Sequence, residues 1–113
     1  MARVLVEAGV KVTGLDDLSA GRRDRLDPLL GASSGRLFRL IEGDVRDREL
    51  LLGTILGQTE TPVDSVLHLA GRVGVRRVLQ DPMGCEAENL DGAKSLAAAV
   101  RFARGQGRSI RVV

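Results

Sequence analysis

Two adjacent carboxylates, Asp16 and Asp17, directly follow a short segment containing Val and Leu at residues 11–15. Such a segment is typical of a strand. A carboxylate at the end of a strand can accept hydrogen bonds from the ribose hydroxyls of an adenosine, and its charge repels a 2′-phosphate, which favours NAD over NADP. Arg22 or Arg23 would accept that phosphate if it were present, although we favour a solvated loop for both. A solvated acidic turn is the alternative for the two carboxylates.

Asp44 and Val45 follow a second apolar segment, which we predict as a strand at residues 37–41. A carboxylate at this position can accept a hydrogen bond from the amino group of an adenine, while the Val side chain packs on the ring. The alternative is an Asp that only shapes a turn or caps a helix.

Small residues end a third apolar segment, at residues 63–70, where His68, Leu69 and Ala70 are followed by Gly71. In an open parallel sheet, ligands bind beyond the carboxyl ends of the strands, and small residues there let a cofactor approach the backbone closely. His68 has no partner cluster of His or Cys, so we reject a metal site and expect a hydrogen-bonded core histidine.

Other polar residues carry weaker signals. Arg72, Arg76 and Arg77 form a basic group that could face a diphosphate, but a solvated face is more common. Judged by residue type alone, Asn89 is expected to be an exposed helix residue, and Cys85 is expected to be a small buried or half-buried one.

The composition excludes several classes of protein. With 113 residues the chain is long enough for one domain, and with only 2% aromatic residues its core must consist of Leu, Val, Ile and Ala. The net charge of +2 does not indicate a nucleic-acid partner. No apolar run approaches the roughly 18 residues of a membrane span, and the first residues do not form a signal peptide. The single cysteine fits a reducing compartment, so we expect a cytoplasmic location.

The candidate residues lie between segments that alternate as helix and strand. We predict four strands, at residues 11–15, 37–41, 63–70 and 109–113. We predict a helix at residues 2–8 capped by Gly9, a helical turn at 26–30, a helix from Asp47 to Leu56 followed by Gly57, and a long helix from Asp81 to Gly105. The alternation predicts one α/β domain over residues 1–113, with a parallel sheet and helices on both faces.

The long helix is predicted to be amphipathic. Its apolar residues recur every three or four positions, at Met83, Ala87, Leu90, Ala93, Ala97 and Val100.

Four stretches, in this order, resemble the extended short-chain dehydrogenase/reductase family, and within it the NAD-dependent epimerases and dehydratases that act on nucleotide sugars. The stretches are LVEAGVKVTGLDDLSAGRR, LIEGDVRD, VDSVLHLAGRVGV, and DP followed by ENLDGAKSL. They cover nearly the whole chain. The resemblance implies a Rossmann-like NAD-binding domain and, in the intact family, a nucleotide-sugar substrate.

By that resemblance, the adenosine ribose would bind at Asp16, with Asp17 beside it, and the adenine at Asp44 and Val45. The middle of the cofactor would be lined by Leu69, Ala70 and Gly71, and Asn89 resembles the helix Asn that supports the family's proton relay. A homodimer formed through the helix between Met83 and Arg104 is also implied. We expect no nucleic-acid and no membrane partner.

The sequence also departs from the family pattern. An Ala often stands where Gly71 does, and a Thr usually stands where Ala93 does, so a local hydrogen bond would be lost. The family's GxxGxxG turn and first strand would precede residue 1, and its catalytic Tyr and Lys would follow the last strand; this chain contains no Tyr.

We therefore expect an internal piece of a nucleotide-sugar epimerase or dehydratase, with an incomplete Rossmann-like sheet. It would not be catalytic by itself and would bind NAD weakly or not at all. The alternatives are a non-catalytic module that binds a nucleotide or a protein through the same edge, and a decayed gene product.

Overall fold

Two pairs of parallel strands organise the structure, which is a computed structural model. It describes residues 1–20, 23–31, 36–58 and 61–113. The chain divides into two compact units, Met1–Asp44 and Val45–Val113, and each unit contains one of the strand pairs. The prediction that residues 1–113 form one domain stays a prediction.

The first unit contains two strands joined through short helical segments. In chain order its elements are α1 (Ala2–Glu7), β1 (Val12–Asp16), a 3-10 helix (Arg23–Leu26), α2 (Asp27–Leu30) and β2 (Phe38–Glu42). The helix α1 is capped at Ala8 rather than at Gly9, which follows in a left-handed conformation with φ 79°. The strands pair in parallel from Val12 opposite Phe38 to Asp16 opposite Glu42.

A small apolar core holds this unit together. Val6 of α1, Leu29 of α2 and Phe38 of β2 are buried against one another. A Cβ added to Gly14 of β1 would lie in van der Waals contact with the Phe38 ring, at 3.4 Å, so the ring packs over this position of the strand. The expectation of a purely aliphatic core was therefore wrong, because a phenylalanine fills the space between the sheet and the helices.

The second unit is mostly helical. Its elements are α3 (Arg48–Leu56), β3 (Ser65–Val66), α4 (Val75–Gln80), α5 (Pro82–Gly105) and β4 (Arg111–Val112). The helix α5 packs against α3 and α4, and β3 pairs in parallel with β4. The buried apolar residues of this unit are Leu51, Ile55, Cys85, Leu96, Ala99, Val100, Ala103 and Ile110.

Local capping signals in the sequence correctly predicted the ends of α3 and the start of α5. The Asp47 carboxylate accepts hydrogen bonds from the backbone N–H groups of Glu49 and Leu50, at 3.1 and 3.0 Å, and Gly57 ends α3 in a left-handed conformation. The Asp81 carboxylate accepts from the N–H of Gly84 at 3.0 Å, and Pro82 occupies the first turn of α5.

The strand pairing confirms the predicted fold class. The doubly wound order of a Rossmann sheet pairs the second strand with the third and the fourth with the fifth. β1 with β2 and β3 with β4 are these two pairs, each parallel and connected through helical segments. None of the helices in the described part of the chain is long and apolar enough to cross a bilayer.

Four element predictions need correction. The third and fourth strands were predicted over residues 63–70 and 109–113, but only Ser65–Val66 and Arg111–Val112 pair as regular strands. The helix α4 was missed, because its N-cap is Gly74, which has no capping side chain, and it has only six residues. The buried side of α5 was also misjudged.

The predicted apolar stripe of α5 lies mostly in solvent. Met83 is 76% exposed and Leu90 is 50% exposed, and among the stripe residues only Val100 is buried. The buried side includes Leu96 and Val100 and also two small residues, Gly92 and Ser95. These two face Val45 and Arg46, in the segment before α3, a packing choice that apolar periodicity alone does not reveal.

Removing the cap of α3 provides a test of this local structure. Replacing Asp47 by Ala should lower the free energy of unfolding by about 1 kcal/mol, because two backbone N–H groups lose their acceptor. Urea unfolding followed by circular dichroism would measure the change. Asp47→Asn, which keeps an acceptor oxygen, is the matched control and should be close to wild type. Equal losses in both variants would contradict the capping role.

Candidate functional site

The exposed carboxylate of Asp16 lies at the last position of β1. Its Oδ1 atom accepts a hydrogen bond from the N–H of Leu18 at 2.8 Å, and Leu18 adopts a left-handed conformation with φ 57°. A carboxylate has about four lone-pair sites, so acceptor capacity remains for two hydroxyl groups of a ligand. The position and exposure of Asp16 therefore fit the predicted ribose contact.

Asp17 shapes the turn that follows β1. Its Oδ1 atom accepts hydrogen bonds from the N–H of Ser19 at 3.0 Å and from the Ser19 hydroxyl at 2.7 Å. Both bonds are local, which is the usual behaviour of an Asp in a turn. A turn role is therefore present for Asp17, while a cofactor contact stays a prediction.

Asp16 and Asp44 lie at the same end of the first strand pair. The N–H of Gly43 donates to the carbonyl oxygen of Asp16 at 3.0 Å, which fixes the exit of β2 beside the exit of β1. Asp44 comes next in the chain and is half-buried. This proximity agrees with the predicted ribose and adenine positions.

Of the two arginines that would accept a 2′-phosphate if it were present, the structure describes only Arg23. Arg22 lies outside the described residues. The Arg23 guanidinium lies 3.7 Å from the Glu42 carboxylate, and both side chains are well exposed. An exposed pair of this kind stabilises the fold little, so Arg23 remains accessible to an anion.

In the second unit, Val45 is half-buried and packs on α5. A Cβ added to Gly92 would lie 2.9 Å from a Val45 methyl carbon, so the missing side chain makes room for this valine. One side of Val45 therefore contacts the helix. The predicted contact of its other side with an adenine ring stays a prediction.

Leu69, Ala70 and Gly71 form an exposed segment after β3, and Leu69 is 74% exposed. The backbone pairing with β4 extends to a hydrogen bond from the N–H of His68 to the carbonyl oxygen of Val113, at 2.9 Å. His68 itself is only half-buried, and its imidazole has no hydrogen-bond partner among the described residues. The expectation of a hydrogen-bonded core histidine was therefore wrong.

The carboxamide of Asn89 binds the loop that follows β3. Its Oδ1 atom accepts from the N–H of Arg72 at 2.6 Å, and its Nδ2 atom donates to the carbonyl oxygen of Arg72 at 3.2 Å. A Cβ added to Gly71 would lie 3.1 Å from the same Oδ1 atom. Asn89 is thus a half-buried anchor rather than an exposed helix residue, and an Ala in place of Gly71 would crowd it.

The Arg72 side chain is also engaged. Its Nη1 atom lies 3.0 Å from Glu88 Oε1 and 3.8 Å from Asp81 Oδ2. An open cleft of about 500 Å³ adjoins the loop, and its lining is mainly apolar: Arg72, Val73, Gly74, Val75, Val78, Leu79 and Asn89. No pattern in the sequence indicates the Arg72–Asn89 contact, because the two residues are 17 positions apart and only one of them lies in a helix.

The strand-end carboxylates of the first unit suit the hydroxyl and amino donors of an adenosine better than a diphosphate, which carries negative charge itself. Asp16 offers an exposed acceptor at the end of β1, and Asp44 follows β2. The glycine-rich turn GxxGxxG, which would hold a diphosphate, does not occur in this sequence. That Asp16 and Ala70 share one ligand-binding edge stays a prediction, because they belong to different units.

The two parallel strand pairs, connected through helical segments, are those of a Rossmann-type sheet, and comparison with known proteins shows the family. A family model described as GDP-mannose 4,6 dehydratase matches residues 1–113. This chain belongs to that family, among the NAD-dependent epimerases and dehydratases predicted from the sequence.

Relatives and solved structures agree with this assignment. The UDP-glucose 4-epimerase of Mycolicibacterium smegmatis is 33% identical over 99 residues, which cover 88% of this chain and 29% of that enzyme. The UDP-glucose 4-epimerase of Neisseria meningitidis serogroup B is 33% identical over 93 residues, covering 82% of this chain and 26% of the enzyme.

Two solved structures with NAD have the same fold. The dTDP-glucose 4,6-dehydratase of Streptomyces venezuelae has a TM-score of 0.76 and 26% identity, covering 98% of this chain and 33% of that protein. The UDP-glucose 4-epimerase of Brucella ovis has a TM-score of 0.68 and 29% identity, covering 91% and 28%. The chain thus spans less than a third of the length of the curated relatives that it matches.

The anchoring role of Asn89 can be tested by removing its carboxamide. Asn89→Ala should lower the free energy of unfolding by about 1–3 kcal/mol, because the N–H and carbonyl of Arg72 lose their partners in a partly buried loop. Glu86→Ala, an exposed position on the same helix, is the control and should change stability by less than about 0.5 kcal/mol. A loss no larger than that of the control would show that the anchor is unimportant for stability.

Proposed function

We propose that this chain is the adenosine-binding segment of an NAD-dependent epimerase or dehydratase that acts on nucleotide sugars, and that it is not catalytic by itself. The observation that carries the proposal is the exposed Asp16 carboxylate at the end of a strand whose parallel neighbour also ends there. Family membership supports the reaction class. The relatives named UDP-glucose 4-epimerase support a nucleotide-sugar substrate.

Each candidate residue has a proposed part in cofactor binding. Asp16 accepts hydrogen bonds from the ribose hydroxyls, and Asp17 holds the adjoining turn and contacts the cofactor beside it. Asp44 accepts from the adenine amino group, and Val45 packs on the ring.

The segment of Leu69, Ala70 and Gly71 lines the middle of the cofactor, where small residues permit a close approach. These positions form one edge in our proposal, since parallel strands leave their carboxyl ends on the same side of a sheet.

The chemistry of the reaction needs groups that this chain does not supply. Bound NAD provides the hydride acceptor, and the family's tyrosine, implied by the resemblance described above, removes a hydroxyl proton from the sugar. The chain contains no Tyr. Asn89 does not replace that group: an amide side chain does not titrate, and this one is bonded to the Arg72 backbone. We therefore assign it a supporting role only.

Weak NAD binding by the isolated chain is the first functional prediction. Without a glycine turn, the diphosphate lacks several charge-assisted hydrogen bonds, each worth on the order of 1.5–3 kcal/mol. A loss of about 4 kcal/mol already changes a micromolar dissociation constant into a millimolar one. Calorimetric titration of the purified chain should therefore show no micromolar NAD site. A micromolar affinity, or turnover of any nucleotide sugar, would contradict the proposal.

The choice of cofactor is a second prediction, for a complete enzyme that contains this sequence. NAD should be preferred over NADP, because the Asp16 carboxylate repels the 2′-phosphate. Steady-state kinetics with both cofactors would measure the preference, and Asp16→Asn should reduce it by weakening that repulsion. Arg23→Ala is the control and should leave the preference for NAD in place. A clear preference of the unchanged enzyme for NADP would refute this assignment.

We also propose that two copies of the chain pair through α5. The exposed apolar stripe that includes Met83 and Leu90 supports this surface, because large exposed apolar patches often mark interfaces. Sedimentation should show a dimer for the wild type and a monomer for Leu90→Glu. Val4→Glu is the matched control, since Val4 is an exposed helix residue of the first unit, and this variant should remain dimeric. A wild-type monomer at all accessible concentrations would refute the pairing.

We also propose a cytoplasmic location, because a single cysteine fits a reducing compartment.

A further inference from the structure

We infer that Arg72 is a positioning residue, which ties the loop after β3 to α5 and keeps that loop in one conformation before any ligand binds. The relevance of this loop to a cofactor rests on the proposed function, because Gly71 and Ala70 are the proposed contacts. The attachment itself does not depend on that function. It is a property of the second unit, and it can be measured without a ligand.

Both the side chain and the backbone of Arg72 are held by adjacent residues of α5. Glu88 binds the guanidinium through Oε1 at 3.0 Å, and Asn89 binds the backbone N–H and carbonyl at 2.6 and 3.2 Å. An ion pair and two hydrogen bonds thus converge on one loop residue. This arrangement restrains the rotation of the peptide groups on both sides of Arg72.

The same guanidinium also extends to the start of the helix. Asp81 Oδ2 lies 3.8 Å from Nη1, while Asp81 Oδ1 accepts the hydrogen bond that caps α5. Arg72 therefore spans from the N-cap of α5 to Glu88, about two turns along the helix. A contact with one residue would hold the loop at a single point. Contacts with both Asp81 and Glu88 also restrict the direction in which the loop leaves β3.

Two glycines flank the point of attachment. Gly71 has no Cβ, and a Cβ there would lie 3.1 Å from Asn89 Oδ1. Gly74 has φ 113°, a conformation that side-chain-bearing residues rarely adopt, and it turns the chain from the loop into α4. The loop is therefore short, bounded by glycines, and attached in its middle by Arg72, which is the arrangement of a preorganised binding segment.

This attachment changes the interpretation of the basic group. The Nη1 atom of Arg72 faces the carboxylates of Glu88 and Asp81, so a diphosphate would have to compete with these carboxylates for it. Arg76 and Arg77 have no ion pair within the described part of the chain. An anionic ligand would meet no such competition at these two arginines.

Amide hydrogen exchange of Arg72 tests the inference directly on the 113-residue chain. Its N–H is the group that Asn89 holds, so nuclear magnetic resonance reports the loop's opening at that atom. Arg72→Met, which keeps an apolar stem but removes the charge, should accelerate the exchange of this amide by about two- to fivefold, because partly exposed ion pairs stabilise weakly. Glu88→Gln should act in the same direction, and Arg72→Lys should restore part of the protection.

Controls separate positioning from general stability. Arg76→Met removes from α4 a charge that has no ion-pair partner in the described part of the chain. This variant should leave the exchange rate of the Arg72 amide unchanged. Amides in the middle of α3 should exchange at wild-type rates in every variant. An unchanged Arg72 rate in both Arg72→Met and Glu88→Gln would overturn the inference, and so would equal acceleration throughout the unit. A micromolar affinity of the chain for NAD would refute the proposed function, whereas these rates are measured without a ligand and would not change.

Discussion

Parallel pairing of short strands is the constraint on which this structure depends. Two parallel neighbours need a connection that returns the chain to the same end of the sheet, and here helical segments provide it between β1 and β2 and between β3 and β4. As a result, the residues that follow two paired strands emerge together. Asp16 and Asp44 are close for this reason, and the exposed segment after β3 owes its position to the same geometry.

Local sequence signals predicted the parts of the fold that depend on local interactions. Asp47 and Gly57 bound α3 as expected, since a capping carboxylate and a left-handed glycine act within a few residues of themselves. The parallel direction of the strands was also predictable, because alternation of helix and strand favours a parallel sheet. The helix α4 could not be predicted in this way, because its N-cap, Gly74, has no side chain that could cap a helix.

Parts of the structure that depend on tertiary packing could not be predicted in this way. The spacing of Met83 and Leu90 indicated an apolar side of α5, yet the buried side contains Gly92 and Ser95, whose small size suits close contact with neighbouring segments. Ser95 even turns its hydroxyl toward the carbonyl oxygen of Arg46, at 3.4 Å. The attachment of Arg72 was likewise unpredictable, because its partners come from a distant helix.

Residue types decide which parts of the proposed function, cofactor binding or proton transfer, this chain can supply. An exposed carboxylate after a strand recognises hydroxyl groups, and small residues after another strand allow close approach, but neither group transfers a proton at neutral pH in the manner of a tyrosine. The chain supplies the first two and has no tyrosine. Under the proposed function, the chain therefore contributes groups for binding, among them the loop held by Arg72, and the tyrosine that transfers the proton is not one of its residues.

Chemical-shift mapping with NAD is the measurement that tests the central claim most directly, because it detects weak binding residue by residue. Titrating the isotope-labelled chain with millimolar NAD should shift the amides of Asp16, Asp44 and Gly71 along one common saturation curve, and Asp16→Asn should weaken all three responses together. Shifts confined to one of these segments, separate curves for the three, or no response at all would contradict the account of a single cofactor edge.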